Sequence, residues 1–112
     1  MPLRRPVVSK VGLYEHWPLI LIDLHTEEGI VGRSYLEPYL KHSAKYIVPA
    51  IHDLAAARRG QRIAPFDNWQ RDRSSLNLVG LGGVAMIAVS GIDMATWDAL
   101  AKANGQPLAA YL

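Results

Sequence analysis

Cysteine is absent from the 112 residues of the chain. This absence excludes disulfide bonds, thiolate nucleophiles and zinc sites built on cysteine. Neither sign of charge dominates, because 12 basic residues stand against 10 acidic ones, giving a formal net charge of +2. The arginine pairs at 4–5 and 58–59 are isolated, so they form no basic stripe of the kind that binds nucleic acid. The composition therefore gives no indication of a nucleic-acid partner.

Long hydrophobic runs are also missing from the sequence. The longest, around Val84 to Val89, is far shorter than the roughly 20 residues that a membrane-spanning helix needs. Behind Arg4 and Arg5, polar residues interrupt the apolar ones, so no secretory signal is predicted. A chain of 112 residues corresponds to one domain. We therefore expect a single cytoplasmic domain with no membrane partner.

Recognisable catalytic motifs are scarce as well. The glycines at 80, 82 and 83 precede a predicted helix, but the Lys and Ser/Thr of a phosphate-binding loop do not follow them. The four histidines lack the spacing of a metal site, so we expect ordinary surface or partly buried positions for His16, His25, His42 and His52. Asp93 and Asp98 are five residues apart and point in different directions on a helix. We expect each to cap or brace neighbouring backbone rather than to act as an acid/base pair.

The order of secondary structure indicates an α+β fold. Pro and Gly residues interrupt residues 3–17, which predicts a loop. Leu19–His25 is rich in β-branched residues and leucine, and a turn at residues 26–29 leads to a second predicted strand, Ile30–Glu37. These two segments predict a β-hairpin with Gly29 at a positive φ.

Helical periodicity follows the hairpin. Apolar residues from Ala44 to Ala55 form one stripe that keeps its phase across Pro49, which predicts a single kinked helix. A short helix is predicted from Pro65 to Leu76, with Trp69 and Leu76 directed inward. Residues 84–102 are apolar on nearly all sides, as in a buried helix. Gly105 suits its left-handed end, and Pro107 suits the start of a last helix at residues 108–112.

The segment from Gly91 to Lys102, followed by Gly105-Gln106-Pro107-Leu108, resembles the last long helix of the capping domain in the mandelate racemase branch of the enolase superfamily. The resemblance covers essentially the whole chain. Further similar segments occur at compatible spacing, at Pro2-Leu3, Pro6-Val7, residues 18–24, residues 29–32 and residues 34–36.

The resemblance implies a partial N-terminal capping domain over residues 1–112. In the family this domain is an antiparallel β-meander followed by helices, and here its first strand is absent. The parent enzyme would be an isomerase or lyase that abstracts an α-proton from a carboxylate with the help of Mg²⁺, and we expect a homo-oligomer. The catalytic residues and metal ligands would lie in a C-terminal TIM-like barrel beyond Leu112. No catalytic or metal residue is therefore assigned here.

Two loops of the capping domain touch the substrate in the family, and they match Leu3–Glu15 and Tyr35–Tyr39. The resemblance implies that Val7, Tyr14 and Tyr39 are the substrate-binding residues. Tyr14 departs from mandelate racemase, which has a small aliphatic residue there, so a sugar acid competes with an aromatic hydroxy acid as the substrate. An alternative hypothesis is that the chain is a stand-alone, non-catalytic domain for interaction or oligomerisation.

Overall fold

The computed structural model describes all residues from 1 to 112. The chain forms two separate two-stranded antiparallel sheets and four α-helices. The strands are β1 (Pro2–Ser9), β2 (Gly12–His16), β3 (Ile20–His25) and β4 (Val31–Leu36). A 3-10 turn at Lys41–Ser43 precedes the helices α1 (Ala44–Arg58), α2 (Pro65–Ser75), α3 (Val84–Ala103) and α4 (Leu108–Tyr111). The α+β order is confirmed, with one more hairpin than the sequence predicts.

The prediction of a loop over residues 3–17 is wrong, because these residues form the β1–β2 hairpin. The pairs of directly opposite residues are Pro2–His16, Val7–Tyr14, Val8–Leu13 and Ser9–Gly12. The register is irregular between Pro2 and Val7. Pro6, which has no N–H to donate, lies in this irregular stretch, where a strand tolerates proline best. The prolines therefore shape the strand without preventing it.

The predicted hairpin of β3 and β4 is confirmed. Its ladder runs without interruption from the pair Ile20–Leu36 to the pair His25–Val31. Gly29 has the expected positive φ, at 83°. The Thr26 hydroxyl accepts a hydrogen bond from the Ile30 N–H and donates one to the Ile30 carbonyl. One face of the hairpin packs against the core, and the other faces solvent.

Helix α3 crosses the inner face of this hairpin at unusually close range. A Cβ atom at Gly32 would overlap the carbonyl oxygen of Ala95, and one at Gly91 would lie 2.6 Å from the Leu36 side chain. The Ser34 hydroxyl donates a 2.7 Å hydrogen bond to the Gly91 carbonyl. Glycine at these two positions thus allows the helix and the sheet to dock backbone to backbone.

The hydrophobic core lies between the sheet of β3 and β4 and the helices α1 and α3. Its buried residues are Leu36, Ile47, Ile51, Leu54, Ala88, Val89 and Ile92. Helix α1 is a single helix that includes Pro49, as predicted. Ile47 and Ile51 lie on either side of this proline, and both are buried, so the apolar stripe continues across it.

The remaining helices close the fold as the sequence predicts. Trp69 in α2 and Leu76 just after it pack against the core. Gly105 has a φ of 67° after the end of α3, and Pro107 immediately precedes α4. By length and composition alone, α3 is also apolar enough to cross a membrane. Its packing against β4, α1 and α2 accounts for that composition as the core of this fold.

Candidate functional site

Two of the three residues predicted to bind substrate lie side by side. Val7 in β1 and Tyr14 in β2 are directly opposite in the ladder. Directly opposite residues of an antiparallel pair project from the same face. The Tyr14 ring also packs edge-on against Trp17, with ring centroids 5.5 Å apart. The hairpin therefore presents Val7 and Tyr14 as one small apolar surface that carries a phenol hydroxyl.

The β1–β2 hairpin is an arm that stands away from the rest of the fold. It makes no substantial contact with any other strand or helix of the chain. Its apolar side chains are largely exposed, including Val8 at 79% and Leu13 at 61%. A lone two-stranded hairpin is at best marginally stable in water. The arm therefore presents an apolar surface that the rest of the domain leaves open to solvent.

Tyr39 lies on a different segment, just after β4. It is the only residue other than glycine with a positive φ, at 61°, and its side chain is 63% exposed. A tyrosine in this region of φ is strained, and such strain persists only where surrounding structure enforces it. The neighbouring Pro38 is fully buried and anchors the turn. No hydrogen bond or ring contact joins Tyr39 to Val7 or Tyr14.

A groove lies elsewhere in the domain, away from these residues. It has a volume of about 710 Å³ and lies between β3 and α1. Its walls include every residue of β3 and none of β4. The groove therefore follows the edge of β3 that β4 leaves unpaired, which is where an additional strand could pair. Val7, Tyr14 and Tyr39 do not line this groove.

Asp98 braces the backbone, as the sequence analysis expects. Its Oδ2 accepts a 2.7 Å hydrogen bond from the Arg33 N–H and a 2.6 Å one from Lys102 Nζ. Lys102 also donates to the Val31 carbonyl. Burial tends to raise the pKa of Asp98, but hydrogen bonds from Lys102 and Arg33, together with their charges, outweigh burial and hold that pKa below its usual range. Asp98 thus fastens α3 to β4.

We expect Asp98→Asn to lower the free energy of unfolding by about 1–2 kcal/mol at pH 7, because a charged acceptor is lost. The 42% exposure of Lys102 keeps its share small. Since the folded pKa lies below the ordinary value of about 3.9, this stabilisation is complete above that value and disappears as the pH falls through the folded pKa. Denaturant unfolding between pH 7 and pH 3, with exposed Asp53→Asn as the control, measures it. A difference independent of pH would contradict this assignment.

Asp93 does not cap or brace the backbone as expected, because its carboxylate makes no hydrogen bond. It lies near an ion pair that the sequence analysis missed, between Arg58 at the end of α1 and Asp72 in α2. Burial raises the pKa of Asp93; the Arg58 charge lowers it and the Asp72 charge raises it. Asp93 is thus a carboxylate at the margin of a buried charge pair, and the backbone bracing expected for it is not found.

The Arg58–Asp72 pair joins three helices. Arg58 Nε donates to one Asp72 oxygen at 3.1 Å, and Nη2 donates to the other. Arg58 Nη1 donates to the Thr96 hydroxyl at 3.1 Å, and that hydroxyl donates to the Ile92 carbonyl. The side chains of Arg58 and Asp72 are only 11% and 5% exposed. One signal for this pair was present in the sequence, since Asp72 falls in register between Trp69 and Leu76 on the predicted inner face of α2.

The four histidines are all exposed, and they lie on separate elements of the fold. No three His, Asp or Glu side chains converge anywhere in the 112 residues. The residues present therefore do not fit a magnesium site.

Comparison with solved structures finds the same fold with substantial sequence identity. An enolase from alpha proteobacterium bal199 with bound magnesium matches 99% of the chain at a TM-score of 0.93 and 50% identity. An enolase from Bradyrhizobium complexed with magnesium and mandelic acid matches 99% at a TM-score of 0.92 and 34% identity. The chain covers 31% of each of these structures.

Sequence comparisons agree with this match. The D-galactonate dehydratase of Pectobacterium atrosepticum is 34% identical over 106 residues, which are 90% of this chain and 26% of the dehydratase. The chain thus spans about a quarter of the length of the curated relatives it matches. The family profile of the mandelate racemase / muconate lactonizing enzyme N-terminal domain matches residues 1–112. The chain belongs to the mandelate racemase / muconate lactonizing enzyme family, and it corresponds to the N-terminal domain of that family.

Proposed function

We propose that the chain is the substrate-specificity domain of an enzyme that abstracts an α-proton from a hydroxy acid or sugar acid with the help of Mg²⁺. The observation that carries this proposal is the exposed β1–β2 arm, which presents Val7 and Tyr14 on one face and makes no substantial contact with the rest of its domain. An arm of this kind can close over a substrate held by another part of the protein. Loop residues on a rigid scaffold commonly determine specificity.

The role of these 112 residues would be to bind, orient and shield the substrate. Tyr14 supplies an aromatic wall and a hydroxyl that can donate to a substrate oxygen. Tyr39 lies in the second predicted substrate loop, and its side chain is exposed at a strained position of the backbone. Mg²⁺, when bound by the complete enzyme, would stabilise the negative charge that develops on the substrate carboxylate. None of its ligands is assigned to this domain.

A carboxylate substrate with several hydroxyl groups is the class that the arm fits best. Arg4, Arg5 and Lys10 lie on the arm or its turn, and Glu15 is its one acidic residue. This basic surface favours an anionic substrate. The relatives with this domain include proteins named D-galactonate dehydratase, and a solved relative was crystallised with mandelic acid. Dehydration of a sugar acid, which makes the enzyme a lyase, is therefore the first activity to test; racemisation and cycloisomerisation are the alternatives.

We expect Tyr14→Val in the complete enzyme to shift kcat/KM from sugar acids towards bulkier aromatic hydroxy acids. The substitution widens the pocket and removes a hydroxyl donor, and one such change is worth about 1–3 kcal/mol of discrimination. The measurement is the ratio of kcat/KM for D-galactonate to that for mandelate, with Mg²⁺ present. Leu13→Val is the matched control, because Leu13 is the adjacent residue on the opposite face of the arm. An unchanged ratio in a stable Tyr14→Val enzyme would show that Tyr14 faces away from the substrate.

The competing proposal is a non-catalytic domain for interaction or oligomerisation. The unpaired edge of β3 favours it, since an open edge invites pairing with another chain. The coding sequence on both sides of residues 1–112 distinguishes the two. A downstream barrel with a Lys-x-Lys motif and spaced carboxylates supports the enzyme. A protein that binds no acid and shows no activity with Mg²⁺ on either acid supports the non-catalytic domain.

A further inference from the structure

Two aromatic rings, those of Tyr14 and Trp17, pack together on an arm whose neighbouring apolar side chains are open to solvent. Their ring centroids are 5.5 Å apart and their planes meet at 70°, which is an edge-on arrangement. Among the valine, leucine and aromatic residues from 7 to 17, only these two are partly buried. Tyr14 is also the only residue of β2 that is not exposed. The indole of Trp17 therefore supports the Tyr14 ring from one side.

This ring contact depends on the way in which the chain leaves β2. Side chains of a strand alternate between its two faces, so residues three positions apart would point to opposite sides of a continuous strand. Strand β2 ends at His16, and Trp17 and Pro18 lead from it towards β3. Because the chain leaves the strand at residue 17, the indole returns to the face that carries Tyr14.

Two restraints hold the backbone of Trp17 at this position. Its N–H donates a 2.7 Å hydrogen bond to the Met1 carbonyl, which continues the pairing of the arm beyond the opposite residues Pro2 and His16. Residue 17 also precedes a proline, whose ring restricts the residue before it to extended conformations. The indole is thus mounted on a restrained backbone at the base of the arm, where the arm joins the β3–β4 sheet.

We infer that Trp17 is a positioning residue for substrate specificity and that it acts through the Tyr14 ring. Edge-on packing restricts the rotation of the phenol, so its hydroxyl is held in one place on the face that also carries Val7. A donor that is already ordered loses less conformational freedom when a ligand binds, so it discriminates better between ligands. Trp17 is not among the residues that the family resemblance implies for the substrate site. The inference rests on the proposed function, which requires Tyr14 to face the substrate.

A double substitution in the complete enzyme tests the inference, because a residue that acts through Tyr14 has no effect of its own once Tyr14 is removed. We expect Trp17→Leu to lower the ratio of kcat/KM for D-galactonate to that for mandelate by about two- to tenfold, which corresponds to the usual coupling of an aromatic pair. Adding Trp17→Leu to Tyr14→Val should not change the ratio further. Additive effects of the two substitutions would overturn the inference, since Trp17 would then affect the substrate independently of Tyr14.

Two further variants separate positioning from a general loss of structure in the arm. Trp17→Phe keeps an aromatic edge beside Tyr14, so it should restore most of the ratio that Trp17→Leu loses. Leu19→Ala removes apolar bulk from the same connection between β2 and β3, at an exposed residue that makes no ring contact, and should leave the ratio unchanged. If either variant lowered the ratio as much as Trp17→Leu does, damage to the connection would be the cause and the inference would be wrong.

Fluorine NMR of the complete protein labelled with fluorotyrosine gives a readout that needs no catalysis. The indole ring current should separate the Tyr14 resonance from those of exposed tyrosines such as Tyr35 and Tyr46, and Trp17→Leu should move the Tyr14 resonance to theirs. A Tyr14 resonance that Trp17→Leu leaves in place, in an active enzyme, would overturn the inference and leave the proposed function standing. A resonance that moves, in a protein inactive on both acids, would refute the proposed substrates and leave Trp17 as the residue that positions Tyr14.

Discussion

Replacing Gly32 with alanine is expected to lower the free energy of unfolding by about 3 kcal/mol, near the upper end of the usual cost of overpacking. The added methyl group would overlap the backbone carbonyl oxygen of Ala95 and lie 2.8 Å from the Cβ atom of Ala99. Backbone atoms cannot rotate away as a side chain can, so α3 as a whole must move off β4. That movement would also stretch the hydrogen bond from the Arg33 N–H to Asp98.

Two other glycines provide a graded test of this explanation. Gly91→Ala meets the mobile ends of the Ile22 and Leu36 side chains at 2.6 Å, so it should cost less than Gly32→Ala. Gly82→Ala meets nothing within 4 Å and has no positive φ, so it should have little effect. Denaturant unfolding of the three variants gives the order. Equal stability of Gly32→Ala and Gly82→Ala would show that α3 does not dock this closely.

The β3–β4 hairpin and the helices were predictable because their side chains carry the signal. The isoleucine and leucine content of β3 and the turn at Thr26–Gly29 encode the hairpin, and the stripe from Ala44 to Ala55 encodes α1. These patterns arise because the apolar side chains are buried against one common core, so the sequence pattern predicts which side chains the structure buries. The apolar residues on nearly all sides of α3 correctly predicted that this helix contributes to the core. The domain alone provides only part of that burial.

The β1–β2 hairpin could not be predicted by the same means. Its apolar residues face solvent on both sides within this chain, so no alternation of burial marks it. The ladder is made by backbone atoms, which pair regardless of side chain, and Pro6 lies where the register is already irregular. The resemblance to the family nevertheless selected Val7 and Tyr14, and the structure places these two residues together. Whether they contact substrate remains a prediction.

The buried ion pair was missed for a different reason. Arg58 stands next to Arg59, and the sequence showed the two only as an isolated pair of arginines. Only the packing of α1 and α2 against α3 shows that the first is buried against Asp72 and the second is exposed. Neighbouring residues on a helix end can therefore have opposite environments, and no local pattern separates them.

Arg58→Met is expected to lower the free energy of unfolding by about 3–5 kcal/mol, the usual cost of leaving one partner of a buried ion pair uncompensated. Asp72 is 5% exposed and would lose both of its guanidinium hydrogen bonds, and the Thr96 hydroxyl would lose its donor. Asp93 would add to the loss of stability. Its negative charge would still repel that of Asp72, and the positive charge of Arg58 would no longer offset this repulsion. A loss of this size is a large fraction of the stability of a small domain.

A second substitution separates the ion pair from simple packing. The double variant Arg58→Met/Asp72→Leu removes both charges, so it should recover most of the lost stability, because well-packed apolar residues commonly replace a buried pair at little cost. Arg59→Met, at the exposed neighbour, is the control and should stay within about 0.5 kcal/mol of the unsubstituted protein. Chemical denaturation of the four proteins measures these differences. If the double variant were as unstable as Arg58→Met, the loss would come from the aliphatic packing of the arginine and not from an uncompensated Asp72.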